Sequence, residues 1–215
     1  MSKALLEAII KLMAIIAKAD DVTIEERDKV KLILRNMLND DLVKEYMIMF
    51  DFEVEKLTNN TQTQTDEELL IALVNSLNTE LTRHQKVAAL VQLSAITMAD
   101  GYISERESHL IELVRENFHV ENSELASINM FVTGRSPGQL NNDNILIIDE
   151  NDYGKTNNFH HLKRQPIDGY IGIIHIPETN SYFIKNMGQN NAYVNGVDLP
   201  ENHIKAFPAG SSIRL

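Results

Sequence analysis

Two hydrophobic patterns divide the chain. Over residues 1–132 the apolar positions repeat with helical spacing. Leu5, Leu6, Ile9, Leu12, Met13 and Ile16 fall at i, i+3, i+4 and i+7 and form one stripe. Thr23 and Glu26 make a T-x-x-E capping box that opens a second helix, with Val30, Ile33, Leu34 and Met37 facing inward. Asn39-Asp40-Asp41 stops that helix and starts another carrying Leu42, Val43, Tyr46, Met47 and Phe50. The polar run at 58–65 reads as a loop. Asp66 and the acids after it open a helix with Leu69, Leu70, Leu73 and Leu77, Thr82 caps the next, and Ser104 with Glu107 forms a second capping box. A last helix is predicted from about Ser123 to Phe131, which makes roughly seven helices in a compact bundle.

After Thr133 the period changes. Gly134 to Gly138 is a breaker cluster and sets the predicted boundary between an all-helical domain, 1–132, and a β-rich domain, 133–215. Short β-branched runs follow at Ile145–Ile148, Tyr170–Ile176, Tyr182–Lys185, Ala192–Val194 and Ser212–Leu215. Asn195-Gly196 is the strongest hairpin signal in the chain. The expected fold is α+β in two segregated domains, a helical bundle and a small sandwich. The chain stops on a strand-like segment, which reads as a β domain that continues past Leu215.

Charge sharpens the division. The net charge is −11. Residues 1–132 hold 13 Lys/Arg against 23 Asp/Glu, whereas residues 133–215 hold 7 against 8. An acidic domain repels phosphate backbones, so nucleic acid is not an expected partner, and basic proteins or cations are. With no cysteine, disulfides, thiolate metal sites and thiol nucleophiles are excluded. No apolar run is long enough to span a bilayer, and Glu7 and Lys11 interrupt the region where a secretory signal would have its apolar core. A cytoplasmic location is expected.

The most informative feature is an internal repeat. Ala19-Asp20-Asp21-Val22-Thr23 followed by Glu26 resembles Ala99-Asp100-Gly101-Tyr102-Ile103-Ser104 followed by Glu107, the first copy being one residue shorter. Each copy is an apolar helix ending in Ala-Asp, a tight turn, an apolar anchor and a capped helix. Two such hairpins could pack about a pseudo-twofold axis. Asp20 and Asp100 can satisfy turn amides, and Glu26 and Glu107 complete their boxes. An EF-hand is excluded, since its first two ligand positions would fall on Ile96 and Met98.

A-D-G-x-I-S-x-x-E within an acidic helical domain resembles the TerB-like family, named from tellurite-resistance proteins. That resemblance covers roughly residues 1–132. It implies an all-α fold and a divalent-metal role at the acidic turns, with Asp20, Asp21, Asp100 and Glu107 as candidate ligands. In the β part, Asn186 to Gly196 followed by Phe207 to Ile213 is similar to the end of a forkhead-associated (FHA) domain. No equivalent of that family's phosphothreonine-binding arginine and serine is found in residues 139–170. A TerB-like part followed by an FHA-like part resembles the N-terminal region of bacterial ABC-transporter ATP-binding proteins. It implies a regulatory region that contacts proteins, its own ATPase or membrane domain among them, with homodimerisation one further mode, and with ATP bound only by a downstream cassette.

No catalytic set emerges. Gly154-Lys155-Thr156 imitates the end of a phosphate-binding loop, but Asp149 stands where a glycine is required. His160-His161 reads as a polar loop pair, because neighbours on a strand would face opposite ways and no third ligand is evident. A hydrolase built from His160 and scattered carboxylates would need a cleft that joins them. The expectations are a non-catalytic regulatory or protein-interaction region of a transporter, and as the alternative a stand-alone metal-responsive protein related to tellurite resistance.

Overall fold

The computed structural model describes residues 3–59, 64–153, 157–189 and 191–215. Helices come first and strands second. The compact units divide between Leu125 and Ala126, within the last helix.

The first unit is built from α1 (Lys3–Ala17), α2 (Ile24–Arg35), α3 (Asp40–Thr58), α4 (Asp66–Asn78), α5 (Arg83–Thr97), α6 (Glu105–Phe118) and the start of α7 (Asn122–Thr133). Side-chain caps set most of these starts: Thr23, Thr65, Thr82 and Ser104 each form a full capping box, and Asn39 accepts from the Leu42 amide. The Thr65–Glu68 box was not foreseen. α1 is the central helix, with Ile10, Ala14, Ile16 and Ala17 completely buried. It packs on α2, α3, α4, α5 and α6, and α2 also packs on α5. The two repeat hairpins, α1–α2 and α5–α6, therefore interlock, and α3 and α4 cover their flanks.

A buried ion pair closes the end of this unit. Glu124 has a fully buried side chain, accepts from the Glu121 amide at 2.9 Å and is paired with the Arg83 guanidinium. Arg83 also donates to the carbonyl of His119 (2.8 Å), the left-handed residue that ends α6. Arg83→Ala would strand a buried carboxylate. It is expected to destabilise the first unit by about 3 kcal/mol, measured by urea unfolding, and a loss below about 1 kcal/mol would show that the pair is solvated.

In the second unit, β1 (Ile145–Asp149), β2 (His160–Lys163), β3 (Tyr170–Ile176), β4 (Ser181–Met187) and β7 (Ile204–Ala206) form a sheet in the order β2-β1-β3-β4-β7. β5 (Ala192–Val194), β6 (Val197–Leu199) and β8 (Ile213–Arg214) form a second sheet in the order β6-β5-β8. Asn195 and Gly196 both take positive φ, 51° and 79°, as the predicted hairpin turn between β5 and β6 requires. Ile148, Ile171 and Ile184 of the larger sheet pack with Ala192, Val194 and Leu199 of the smaller one. α+β in two segregated parts is the observed architecture.

The opposite face of the larger sheet meets the C-terminal end of α7. Lys185, in the middle of β4 and 3% exposed, donates to the carbonyls of Phe131 (3.2 Å), Val132 (2.6 Å) and Gly134 (3.0 Å). A lysine from a strand thus satisfies the unpaired carbonyls that end a helix and places its charge at the negative end of the macrodipole. The Tyr170 hydroxyl adds a bond to Gly134. Gly172 leaves room for the Phe131 ring, which would lie 3.2 Å from any Cβ there.

His160 and His161 form part of β2 and are not a polar loop. The reason is tertiary: β2 pairs in parallel with β1, and the Nε2 atom of His161 reaches Asp149 at 2.9 Å. Asp149 is completely buried, also bonded to Tyr153 and Asn151, and held below its ordinary pKa by those bonds against the opposing effect of burial. His160 lines a shallow cleft with Asp143, His175 and Tyr182. His175 is bonded to Asn180 and stacked on Tyr182, and among the described residues no ion pair joins Asp143 to either histidine. Gly154-Lys155-Thr156, and Asn190 of the FHA-like stretch, lie outside the described residues.

Candidate metal centre

In both repeat turns the aspartate accepts from a backbone amide of its own turn. In the first, the Asp20 carboxylate accepts from the Asp21 amide at 3.0 Å. In the second, the Asp100 carboxylate accepts from the Tyr102 amide at 2.9 Å, and Gly101 takes φ +93°. The boxes that follow match closely. Glu26 Oε2 accepts from the Thr23 amide (2.7 Å) and hydroxyl (2.8 Å), and Glu107 Oε2 accepts from the Ser104 amide (2.8 Å) and hydroxyl (3.0 Å). Both glutamates therefore do the capping work the sequence indicates.

Their packing adds something that capping does not require. Interlocking of the hairpins brings Glu26 and Glu107 together with Asp20, one oxygen from each lying within 4.8 Å of the others. Both glutamates are 2% exposed, while Asp20 is exposed. Each bond that these two carboxylates accept lands on Oε2; among the described residues no hydrogen bond uses Oε1 of either glutamate. Nor does any Lys, Arg or His among them form an ion pair with the three acids.

Protonation reflects this crowding. Burial pushes the Glu107 carboxyl up to about 7; the Ser104 bonds oppose the shift, and the charges of Asp20 and Glu26 add to it. Glu26 is raised for the same leading reason, with Asp20 and Asp100 adding repulsion. Both carboxyls are thus harder to ionise than a free glutamate, burial being the leading cause at each.

The donor set suits a hard divalent cation. It is all carboxylate oxygen, no basic side chain among the described residues pairs with it, and one oxygen of each acid lies within 4.8 Å of the others, so the three can turn toward one ion. Asp20, Glu26 and Glu107 would hold the ion, with water or backbone oxygen completing its shell. Of the predicted ligands, Asp20 and Glu107 enter the set. Asp21 supplies only its amide to Asp20, and Asp100 acts on Glu26 through its charge. Glu26 was not nominated, although its position as the repeat counterpart of Glu107 marks it.

Among the described residues, seven helices with paired, acid-capped turns define an all-helical domain of internally duplicated hairpins. The model of the family described as tellurite resistance protein TerB matches residues 6–130, and the chain belongs to that family. No curated protein and no solved structure matches the chain.

Proposed function

We propose that this chain is a non-catalytic, tellurite-resistance-related interaction module whose helical unit takes up a divalent cation at Asp20, Glu26 and Glu107. The observation that carries the reading is the convergence of two buried, uncompensated capping glutamates on an exposed aspartate. When bound, the cation supplies positive charge between the N-termini of α2 and α6 and cross-links the two hairpins. The protein's own residues do the rest: Thr23 and Ser104 hold the glutamates in place, and burial keeps their charge costly until a proton or cation neutralises it.

Partner binding by this surface is supported by two apolar side chains left in water beside the turns. Ile24, the first residue of α2, is 77% exposed, and Tyr102 is 66% exposed. No helix among the described residues is long and apolar enough to cross a membrane. The forkhead-associated and transporter associations rest on sequence resemblance alone.

Asp20 provides the test, because it caps neither helix. Calorimetric titration with CaCl2 and with MnCl2 near pH 8 is expected to show saturable binding by the native chain. Asp20→Asn is expected to weaken it about tenfold or more through loss of one charged ligand. Equal heats from both proteins, or none above dilution, would remove the cation from the account.

A further inference from the structure

The outer face of α3 carries apolar side chains that the helical unit does not use. α3 packs on α1 and α2, and Val43, Tyr46, Met47, Phe50 and Leu57 form its buried side. On the opposite side Ile48 is 70% exposed and Phe52 is 61% exposed. Standing at i and i+4, they share one face of the helix. Glu45 and Glu55, both exposed, bracket them. Positions 45, 48, 52 and 55 thus follow the alternating spacing of three and four that makes a seam between paired helices.

Charges beside this seam find partners within the fold. Lys44 pairs with Asp41 at 3.3 Å, and Asp51 pairs with Arg27 of α2 at 2.7 Å. Among the described residues neither Glu45 nor Glu55 forms an ion pair. The seam therefore has an apolar centre and, at each end, an acid whose charge no basic side chain meets.

We propose that this seam receives a helix of a partner protein, with two apolar residues at the matching positions and a lysine or arginine on either side of them. Its apolar side chains would cover Ile48 and Phe52. Its cations would fall opposite Glu45 and Glu55. A second copy of this chain is the poorer occupant. Antiparallel pairing of α3 with itself sets Glu45 against Glu55, and parallel pairing sets each acid against its own counterpart. The seam uses none of Asp20, Glu26 and Glu107, so its test is independent of the cation.

The probe is a fluorescein-labelled peptide of about 20 residues, long enough to form a helix, titrated against the full chain by anisotropy. It is built on Ala and Gln, with a Lys-Leu-Leu-Lys stripe at the spacing of the seam. The stripe reads alike in both directions, so either orientation of the helix can bind. Saturable binding is expected. Ile48→Ser combined with Phe52→Ser, both at exposed positions, is expected to weaken it about tenfold. Val197→Ser, at an exposed apolar position of the second unit, is expected to leave it unchanged. Glu45→Lys combined with Glu55→Lys should transfer the preference to a Glu-Leu-Leu-Glu peptide. Absence of binding to the native chain, binding indifferent to either double substitution, or an equal loss in Val197→Ser overturns the proposal. So does binding that keeps its strength when the leucines of the peptide become serines, since charge alone would then account for it. Sedimentation that shows the native chain pairing with itself, and the Ile48→Ser, Phe52→Ser variant failing to, would overturn it as well.

Discussion

Glu107→Gln is expected to make the metal-free protein more stable, not less. Glutamine keeps an oxygen for the Ser104 amide and hydroxyl, so the capping box survives. What it removes is the ionisation of a buried carboxyl beside Glu26 and Asp20. The folded-state pKa of Glu107 is about 7, above its ordinary 4.5, so the native state binds more protons than the unfolded state between those values. Native stability therefore falls as pH rises through that window, by up to about 1.4 kcal/mol per unit, and levels off above it. Near pH 8 the glutamine variant should be more stable by about 1–3 kcal/mol, and below pH 4.5 the two should converge. Divalent cation should reverse the order, raising the melting temperature of the native chain alone. Urea midpoints across pH, with and without chelator, give the test. A destabilised variant at every pH would mean that the carboxylate charge is compensated.

Lys185→Met is expected to be the most damaging single change in the second unit. It leaves the carbonyls of Phe131 and Val132 without their donor in a buried setting, and that of Gly134 with the Tyr170 hydroxyl alone, at a cost of about 3–5 kcal/mol. Because the chain has two compact units, one global transition is an unsafe readout, and hydrogen exchange of the β3 and β4 amides is the direct one. Protection should fall by a factor of about 100 or more at those amides while α1 and α5 keep theirs. Undiminished protection would show that the helix end finds other donors.

What could be read from the sequence was local. The Thr23–Glu26 and Ser104–Glu107 boxes are each contained in one turn, so residue types and spacing reveal them. Residue contacts across the fold were less legible. Glu26 appeared as a cap because nothing in its own segment shows that α6 delivers Glu107 beside it; only the duplication hints at that meeting. The β2 strand was missed because His160, His161 and Lys163 are polar and β2 is formed by pairing with β1 rather than by its own pattern. β6 and β7, three residues each, are too short for alternation to register. Lys185 looked like the end of a strand, and its role depends on a helix more than 50 positions earlier in the chain.

The most direct test of the cation site is to locate the ion. Crystals of the full chain grown with MnCl2 and measured at the manganese edge should show one strong anomalous peak bounded by Asp20, Glu26 and Glu107, at roughly 2.0–2.6 Å from a carboxylate oxygen of each. A peak elsewhere, or none at a manganese concentration that saturates the calorimetric signal, would contradict the account and leave the two glutamates as helix caps.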